Sequence, residues 1–507
     1  MERPIRRALI SVFHKEGLAP IVDRLHANGV EILSTGGTQR AIEALGAPVT
    51  PVESVTQTAE MLGGRVKTLH PMVFGGILAR RDFGPDDVDV ADHGIGPIDL
   101  VIVDLYPFEE TLASGAEEDE IIEKIDIGGI ALIRAAAKNF RDVVCIPSRD
   151  QYGDLVAALG DGITTSLDFR RNMAGAAFGV SSGYDAAIGR WVREGGNPEV
   201  LSVLETTSTA LRYGENPHQP GAFYGDLDGL FTQHNGKALS YNNLLDVDAA
   251  VQLMAEFKED APTVAILKHN NACGLATRDV LSMAYADALA GDPISAFGGV
   301  VIMNRPLDID TAEALHTLFC EVVIAPSFAP EALALLSGKK NRILLQQQRW
   351  PSPGKLVRSA LGGYLAQQPD DQVEGAEAFT CVTQVAPTDT QAEDLAFALK
   401  LAKHTRSNTI VLAKGGQLLA SGTGQTSRVD ALNQAIDKAG RMGFSLEGAS
   451  MASDAFFPFP DCVEIADKAG IAAVVQPGGS IKDGESIAYC DAHGMAMVTT
   501  GVRHFRH

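Results

Sequence analysis

The most reactive side chains of the sequence stand next to each other in residues 266–274, ILKHNNACG. The apolar start predicts a buried strand, and Lys268 and His269 follow it. A histidine can accept a proton near neutral pH, and an adjacent ammonium can stabilise a developing oxyanion. Because neighbouring strand side chains point to opposite faces, both can serve one site only if the strand ends there, as Asn270 and Asn271 favour. An ordinary turn after a buried strand explains the same residues.

Three other segments have the composition of anion-binding loops. STGGT at 34–38 places glycines between a predicted strand and a helix, where backbone N–H groups can approach a phosphate. GGRVKTLHP at 63–71 concentrates positive charge, and IDIGG at 125–129 opens a helix. Each has an ordinary explanation: a connector, a solvated loop, and an N-cap at Asp126. Together, beside strand ends in one α/β domain, they predict a phosphate-bearing ligand.

Four segments further along the chain could also contact a ligand. The turn LRYGENPHQ at 211–219 begins with an arginine and a tyrosine that can bind phosphate. In GQTSRVDAL, Arg428 occupies the first turn of a predicted helix, where a cation is unfavourable, which suggests an anionic partner. SDAFFPFPD at 453–461 is an aromatic cluster that forms either a hydrophobic plug or a stacking surface. The basic end at 502–507 is either a ligand contact or a frayed terminus.

The elements around the first set of loops alternate between strand and helix. This alternation predicts a doubly wound parallel sheet for the first 190 residues. The predicted strands are 8–12, 30–34, 98–108 and 142–146, and the predicted helices are 16–29, 35–46, 125–140 and 167–194. The Gly/Asn/Pro break that follows predicts a domain boundary, with one domain over 1–198 and another over 199–507.

The second domain is also predicted to mix strands and helices. Segments 262–303 and 405–440 share a strand, turn and helix pattern that hints at a duplicated subdomain, and two glycines at 415–416 indicate a hairpin. A polar loop is expected over 366–380. The predicted strands are 263–267, 298–303, 321–325, 408–414, 417–421, 472–476 and 495–500, and the helices are 390–404, 427–439 and 462–469.

Composition excludes several classes of protein. Apolar residues make up 45% and charged residues 21% of 507 residues, which is typical of globular chains of two to four domains. A net charge of -22 disfavours nucleic acid and anionic membranes as partners. None of the six cysteines forms a C-x-x-C pair, which argues against a structural zinc site. The first residues lack a signal-peptide pattern, and no apolar run is long enough to span a membrane, so we expect a cytoplasmic protein.

In their order, these segments resemble the bifunctional purine-biosynthesis family that joins an AICAR formyltransferase to an IMP cyclohydrolase. The resemblance runs through STGGT, MLGGRVKTLHP, LYPF, DIGG, RAAAKN, LRYGENPHQ, KHNNACG, SAFGG, IAPSF, RSNTIVL, GQTSR and SDAFFPFPD. It implies formyl transfer from 10-formyltetrahydrofolate to the 5-amino group of AICAR, and closure of the product FAICAR to IMP. It also implies a methylglyoxal-synthase-like first domain, two cytidine-deaminase-like subdomains in the second, and a homodimer whose transferase site spans the subunit interface. No metal is expected, because the zinc signature of the deaminases is absent.

The resemblance also implies roles for individual residues. In the transferase, His269 matches the general base and Lys268 the group that stabilises the oxyanion. The positions that match ribonucleotide contacts are Arg212, Tyr213, Gly298, Glu321, Asn408, Arg428, Phe456 and Arg503, and those beside the folate are Asp461, Ser480 and Ile481. In the cyclohydrolase, the residues around the closing ring are Lys67, Tyr106, Asp126 and Lys138. The other nucleotide contacts there are Lys15, Thr35, Gly36, Gly37, Thr38, Arg65, Val66, Thr68, Asp104, Ile127 and Gly128.

The sequence departs from the family pattern at three places. Asp104 replaces the usual asparagine before LYPF, which predicts an altered base contact or an added negative charge. Phe13 and His14 replace serine and aspartate in the first loop, which predicts a lost or redistributed ligand contact. Ala272 stands where proline is frequent, which predicts a looser turn. These departures support a second hypothesis, a formyltransferase whose N-terminal domain only binds nucleotide, and a third, a regulatory binding protein without catalysis. A zinc nucleobase deaminase is excluded by its missing ligands.

Overall fold

The computed structural model describes residues 2–159, 162–193, 201, 203, 205, 207–351 and 354–507. The chain divides into two compact units, Met1–Thr206 and Thr207–His507. The boundary predicted at 198 falls within 194–200, outside the described residues, and stays a prediction. No helix in the described part of the chain is both long and apolar enough to cross a membrane.

The first unit has seven strands and ten helices among its described residues. The strands are β1 Arg3–Pro4, β2 Arg7–Val12, β3 Glu31–Ser34, β4 Thr50–Pro51, β5 Leu100–Asp104, β6 Val144–Ile146 and β7 Thr164–Thr165. The helices are α1 Ala19–Ala27, α2 Gly36–Ala44, α3 Val52–Thr56, α4 Pro71–Leu78, α5 Gly84–Asp92, α6 Phe108–Ala113, α7 Glu118–Ile122, α8 Gly128–Lys138, α9 Tyr152–Leu159 and α10 Leu167–Val192. Short 3-10 turns cover Leu62–Gly64 and Arg149–Gln151.

The central sheet of this unit is entirely parallel, with strand order β4-β3-β2-β5-β6. The chain builds outward from β2 in both directions, so the topological switch point lies between β2 and β5. In open α/β sheets the ligand crevice lies outside the carboxyl ends of the strands at this point. The predicted doubly wound parallel sheet is confirmed. The strand predicted over 98–108 is shorter, Leu100–Asp104, because the chain leaves the sheet before Pro107.

The second unit has sixteen strands and eight helices among its described residues. The strands are β8 Ser208–Leu211, β9 Gly221–Tyr224, β10 Phe231–Asn235, β11 Thr263–Lys268, β12 Asn271–Thr277, β13 Val300–Met303, β14 Val322–Ala325, β15 Ile343–Gln347, β16 Leu356–Ala360, β17 Gly363–Gln367, β18 Thr380–Cys381, β19 Ile410–Ala413, β20 Leu418–Gly422, β21 Ser450–Ser453, β22 Ala473–Gln476 and β23 Ala496–Thr499. The helices are α11 Tyr241–Ala255, α12 Leu281–Gly291, α13 Ile309–His316, α14 Pro330–Ser337, α15 Asp389–Lys403, α16 Arg428–Arg441, α17 Asp461–Lys468 and α18 Asp483–His493, with a 3-10 turn at Ala376–Ala378.

The second unit contains the same sheet twice. The first sheet has the order β10-β15-β14-β13-β11-β12, and the second has the order β18-β23-β22-β21-β19-β20. Corresponding strand pairs match in direction. In the order given, each sheet starts with an antiparallel edge strand, continues through three parallel strands and ends with an antiparallel hairpin. The duplication hinted at by 262–303 and 405–440 is therefore real, and one apolar core contains side chains from both sheets.

Two local predictions in this unit have different outcomes. The hairpin at 415–416 is confirmed, since Gly415 and Gly416 have φ of 58° and 66° between β19 and β20. The loop expected over 366–380 is wrong at both ends, because residues up to Gln367 pair with β16 in an exposed hairpin and Thr380 begins β18. The strands of that hairpin show no alternation of buried apolar and exposed polar side chains, because both of its faces are largely exposed.

A buried ionic cluster joins the ends of α11 and α15. The Glu256 carboxylate accepts hydrogen bonds from Lys403 Nζ and His404 Nε2, both at 2.9 Å. Burial alone would raise the pKa of the Glu256 carboxyl, but the bonds from His404 and Lys403 lower it to about 2. A carboxyl whose pKa is depressed by folding stabilises the folded state only while it is ionised.

We therefore expect acid to destabilise this unit through Glu256. Lowering the pKa from 4.5 to about 2 is worth about 3 kcal/mol. That stabilisation is complete above the unfolded-state pKa of 4.5 and is lost as the pH falls towards 2. Denaturant unfolding measured across this range should show a shallower pH dependence for Glu256→Gln than for the wild type. The exposed neighbour Glu259 provides the control Glu259→Gln, and equal slopes in all three proteins would contradict the prediction.

Candidate active sites

Lys268 and His269 lie at a tight hairpin between the antiparallel strands β11 and β12. Lys268 ends β11 and is paired with Asn271, the first residue of β12. His269 and Asn270 form the two-residue loop, with φ of 51° and 67°. Left-handed backbone at both positions is the type I′ geometry that suits a twisted hairpin. Strand β11 ends at Lys268, as a site shared by Lys268 and His269 requires. The chain then turns back at once into strand β12, which the sequence pattern did not predict.

The Lys268 and His269 side chains line one cavity of about 430 Å³. The Lys268 ammonium donates to the Phe297 carbonyl at 2.7 Å, and His269 is exposed. Polar side chains from β12, β20 and α16 and from the chain after α12 complete the lining, among them Asn271, Asp292, Ser421, Thr423, Gln434 and Lys438. An accessible imidazole beside an ammonium in a polar cavity suits proton transfer coupled to oxyanion stabilisation.

The first two turns of α11 hold this hairpin and Glu321. The Asp246 carboxylate accepts the Asn270 N–H at 2.7 Å, and the Asn243 amide donates to Glu321 at 2.9 Å. Burial raises the pKa of the Asp246 carboxyl, while the Asn270 N–H and the charge of His269 oppose that rise. Asp246 is therefore electrostatically coupled to the imidazole.

Arg212 and Gly298 lie on elements next to this hairpin. The Arg212 guanidinium lies over the Tyr213 ring at 4.6 Å and donates to its hydroxyl at 2.7 Å. Their loop reaches α11 through a bond of 3.1 Å from the Asn242 amide to the Glu215 carbonyl. Gly298 has a φ of 73° and precedes β13, the strand beside β11.

A second cluster centres on Arg428, at the start of α16. Its guanidinium donates to the Asp454 carboxylate at 2.6 Å, to the Ser453 hydroxyl at 2.8 Å and to the Asn408 amide oxygen at 3.1 Å. Asp454 is completely buried. The anionic partner inferred from the position of Arg428 is thus a carboxylate of the protein itself, and its charge offsets the unfavourable helix position.

The residues predicted to lie beside the folate and the imidazole ring are found at one edge of the second sheet. Strands β21, β22 and β23 are parallel, so the chain leaves all three at the same edge. The predicted residues that follow these strands are Phe456, Asp461, Ser480, Ile481 and Arg503. Phe456 is 39% exposed whereas the adjacent Phe457 is fully buried, so of these two neighbours only Phe456 offers a ring for stacking. Ile481 is fully exposed on its loop.

The basic C-terminal segment is fixed in place rather than frayed. The N–H of His504 donates to the Asp454 carbonyl at 3.0 Å. Its buried ring contacts Asp370 at 2.7 Å and Glu374 at 2.8 Å through its two nitrogens. Arg503 beside it is exposed and lies over the Phe505 ring. The frayed-terminus alternative is therefore wrong.

Lys268 and His269 make no direct contact with two of the residues predicted to share their site. Within the described ranges, no hydrogen bond, ion pair or ring contact joins Lys268 or His269 to Arg212 or Phe456. No group of three or more His, Cys, Asp or Glu side chains among the described residues could hold a metal ion.

The predicted phosphate cradle of the first unit is assembled at the carboxyl ends of β2 and β3. The Thr38 hydroxyl donates to the Val12 carbonyl at 2.9 Å, and Thr35 donates to Glu53 at 3.2 Å. Gly36 has a φ of 54°, and a Cβ there would lie 3.5 Å from the Lys67 amino group. Lys67 thus approaches the glycine turn, where its charge and the free N–H groups of α2 can act on one anion.

The loop between β5 and α8 brings Tyr106, Asp126 and Gly128 close to this cradle. The Asp126 carboxylate accepts the Gly129 N–H at 2.6 Å, which is the capping role considered for it. Burial raises the pKa of the Asp126 carboxyl, backbone N–H groups including that of Tyr106 lower it, and the charge of Asp104 raises it further. A Cβ on Gly128 would lie 3.2 Å from the Thr68 hydroxyl, so the two predicted loops touch.

Three residues predicted to line the cyclohydrolase site are paired with other side chains or lie away from the site. Arg65 pairs with Glu123, and Lys67 pairs with Glu60 at 2.6 Å. Lys138 is exposed at the last turn of α8, about 15 Å along the helix from its first residue. Lys138 therefore does not join Asp126 within one chain. At the last turn of α8 its positive charge complements the helix dipole instead.

Comparison with known proteins identifies the family of this chain. A family model described as "AICARFT/IMPCHase bienzyme" matches residues 136–438, and one described as "MGS-like domain" matches residues 17–131. The chain belongs to the AICARFT/IMPCHase bienzyme family. It is a bifunctional enzyme of purine biosynthesis, an AICAR formyltransferase and IMP cyclohydrolase.

Curated relatives match this chain over almost its full length. The "Bifunctional purine biosynthesis protein PurH" of Bacteroides thetaiotaomicron is 57% identical over 504 residues, which is 99% of each chain. The protein of that name from Myxococcus xanthus is 48% identical over 517 residues, covering 99% of this chain and 100% of the relative. The one from Chloroflexus aurantiacus is 48% identical over 511 residues, covering 100% of this chain and 99% of the relative.

Three residues of this bienzyme's sites were missed by sequence reasoning. Asn243 and Asp246 lie in YNNLLDVD, which carries no glycine or basic signal and is part of a helix that was not predicted. The helix is buried on several faces, so its apolar residues show no clear period of 3.6. Asp454 lies inside the aromatic cluster at 453–461, which was interpreted only from its aromatic side chains. The signal that could have found Asp454 is the uncompensated charge of Arg428.

Gly274, the last residue of the bienzyme's ILKHNNACG segment, has a packing role. A Cβ at this position would lie 1.8 Å from the Ala288 carbonyl oxygen, where α12 crosses β12. Gly422 of the duplicate sheet has the same relation to Ala431, at 1.7 Å. Both glycines allow a helix to approach the outer strand of a hairpin.

We expect Gly274→Ala to lower the free energy of unfolding by about 3 kcal/mol, because backbone atoms on both sides must shift. Chemical denaturation of the full-length protein measures the change. Gly440→Ala is the matched control, since a Cβ there meets no atom within 4 Å. In its helix that change should be neutral or slightly stabilising. Equal stability of both variants would contradict the packing role.

Proposed function

We propose that the second unit transfers a formyl group from 10-formyltetrahydrofolate to the 5-amino group of AICAR, and that the first unit closes FAICAR to IMP. The observation that carries the first assignment is the common cavity of Lys268 and His269 at the β11–β12 hairpin. The second is supported by the cradle at the switch point of a parallel sheet.

For formyl transfer, the proposed roles follow from the chemistry of a weak nucleophile. The lone pair of the AICAR amine is delocalised into its ring, so its proton must leave as the bond to the formyl carbon forms. His269 accepts that proton, and the Lys268 ammonium stabilises the tetrahedral oxyanion. Collapse of this adduct breaks the bond to N10 of the folate, which takes up a proton and leaves as tetrahydrofolate. Asp246 orients the hairpin through the Asn270 N–H.

For ring closure, the carboxamide nitrogen of FAICAR attacks its own formyl carbon. The nitrogen loses a proton and the carbinol oxygen leaves as water, so the step needs a base and an acid but no co-reactant. Asp126, whose pKa is raised mainly by burial, is suited to exchange protons with the substrate. Lys67 and Tyr106 border the same crevice. Because the reaction is intramolecular, holding the two groups together supplies much of the rate.

We propose a homodimer whose transferase site combines both subunits, as the family resemblance implies, because no hydrogen bond, ion pair or ring contact joins His269 to Phe456 within the described part of one chain. The base hairpin would come from one protomer, and Asn408, Arg428, Phe456 and Arg503 from its partner. Mixing His269→Ala with Phe456→Ala protein tests this arrangement. If the site is shared, random reassembly should restore roughly a quarter of wild-type transfer. Recovery of no activity from a mixture proven to exchange subunits would exclude a shared site.

Two finer assignments complete the proposal. The duplicated mixed sheets support a pair of cytidine-deaminase-like subdomains, and membership of a purine-biosynthesis enzyme family supports a cytoplasmic location. Supplying AICAR and 10-formyltetrahydrofolate and following tetrahydrofolate and IMP tests both reactions. Formation of tetrahydrofolate without IMP, with FAICAR accumulating, would leave only the formyltransferase and favour nucleotide binding by the first unit. Formation of neither product would overturn the whole assignment.

A further inference from the structure

The His14–Asp104 pair spans the crevice of the first unit. His14 follows β2 and Asp104 ends β5, the two strands on either side of the topological switch point. The Asp104 Oδ2 accepts two hydrogen bonds from His14, one from its main-chain N–H at 2.8 Å and one from its Nδ1 at 2.7 Å. The Phe13 N–H adds a bond of 3.2 Å to the Asp104 carbonyl. The segment after β2 is thus fixed on the end of β5.

Several groups of the proposed site respond to the charge of Asp104. Its carboxylate raises the pKa of the Lys15 amine, which burial lowers more strongly, and it adds to the raised pKa of Asp126. It also acts on the buried Tyr152 hydroxyl, whose pKa is raised mainly by burial. Lys15 in turn donates to the Phe13 carbonyl at 2.7 Å. An unpaired carboxylate at this position would therefore oppose an anionic nucleotide and disturb two groups proposed to serve it.

Two of the departures from the family pattern become one feature in three dimensions. In the family pattern, an aspartate at position 14 would accept a hydrogen bond, and the amide of an asparagine at position 104 would donate it. In this chain the donor is the imidazole at 14 and the acceptor is the carboxylate at 104. A donor and an acceptor thus face each other with their roles exchanged. The negative charge expected from Asp104 is engaged by His14 instead of facing the ligand alone.

We propose that His14 is a positioning residue for ring closure, which acts by holding the Asp104 carboxylate away from the anionic substrate and by fixing the Phe13–Lys15 turn. The inference rests on the proposed site of the cyclohydrolase. Phe13, whose ring lies edge-on to Tyr106 at 5.6 Å, transmits this placement to the crevice.

A double-mutant cycle tests the proposal with full-length enzyme and FAICAR as substrate. His14→Gln should raise KM about tenfold and change kcat by less than about threefold, because substrate binding is opposed while the reacting groups remain. In an Asp104→Asn background, the same His14→Gln change should alter KM by less than about twofold. The exposed histidine of α1 supplies the matched control, His26→Gln, which should behave as the wild type.

The possible outcomes separate this inference from the proposed function. An equal effect of His14→Gln in both backgrounds would mean that His14 does not act through Asp104, and no effect in either would remove its role. Both overturn the inference while wild-type IMP formation upholds the cyclohydrolase. A variant with an added negative charge gives a second check. His14→Asp should lower kcat/KM at least about a hundredfold, because two carboxylates would then face each other. Adding Asp104→Asn removes one of these charges and should restore most of kcat/KM. Failure of that rescue in folded protein would also overturn the inference.

Discussion

Replacing His269 by alanine is expected to reduce formyl transfer to AICAR about 10³-fold and to leave ring closure of FAICAR unchanged. The loss is large because the delocalised amine cannot form the new bond while it keeps its proton, and His269 is the titratable side chain at the tip of the hairpin beside Lys268. Ring closure is unaffected because its proposed groups lie in the other compact unit. Two assays on one preparation, tetrahydrofolate release and IMP formation from FAICAR, measure the two effects.

The effect should appear in kcat more than in the KM for AICAR, since the imidazole acts on the proton that moves in the transition state. His493→Ala is a suitable control, because His493 is an exposed histidine of the same unit that stacks on Tyr489. Loss of both activities in folded His269→Ala protein would contradict two separate sites. Retention of formyl transfer would remove His269 as the base.

Lys268 and His269 show how far the sequence alone could define the transferase site. Their types and adjacency suggested a base with an oxyanion partner, and two asparagines favoured a strand end. The type I′ hairpin was not foreseen, because ACGLAT after the turn is short and contains a glycine that weakens a strand pattern. The contact of Asp246 with the turn joins residues 24 positions apart along the chain, and no local pattern encodes it.

The first unit was predicted more completely than the second. Its strands alternate with helices and are buried on both faces, so a short apolar run or a glycine turn indicates nearly every strand of the sheet in the sequence. In the second unit, hairpins and parallel strands occur in one sheet, and the match between the two halves lies in strand order rather than in residue identity. The exchange at His14 and Asp104 illustrates a further limit: taken alone, Asp104 predicted an altered base contact or an added charge and His14 a lost or redistributed contact, and only their proximity revealed a pair.

Arg428→Met is expected to lower the free energy of unfolding of the second unit by about 3–5 kcal/mol, because it leaves the carboxylate of Asp454 buried without its cation. Asp454 has no solvent exposure, and Arg428 contacts it at 2.6 Å. Denaturant unfolding of the full-length protein measures the loss. The same substitution is expected to abolish AICAR binding if Arg428 also contacts the ribonucleotide, so stability and affinity must be separated.

The double variant Arg428→Met/Asp454→Asn separates them. With a neutral amide at 454 the buried charge is gone, and much of the lost stability should return, whereas the guanidinium available to a ribonucleotide phosphate is still missing. AICAR affinity measured by calorimetry should therefore stay low in a protein whose unfolding midpoint has recovered. Restored affinity together with restored stability would show that Arg428 acts only by compensating Asp454. Unchanged stability in the single variant would show that the buried carboxylate does not depend on Arg428, because another group or protonation then accommodates its charge.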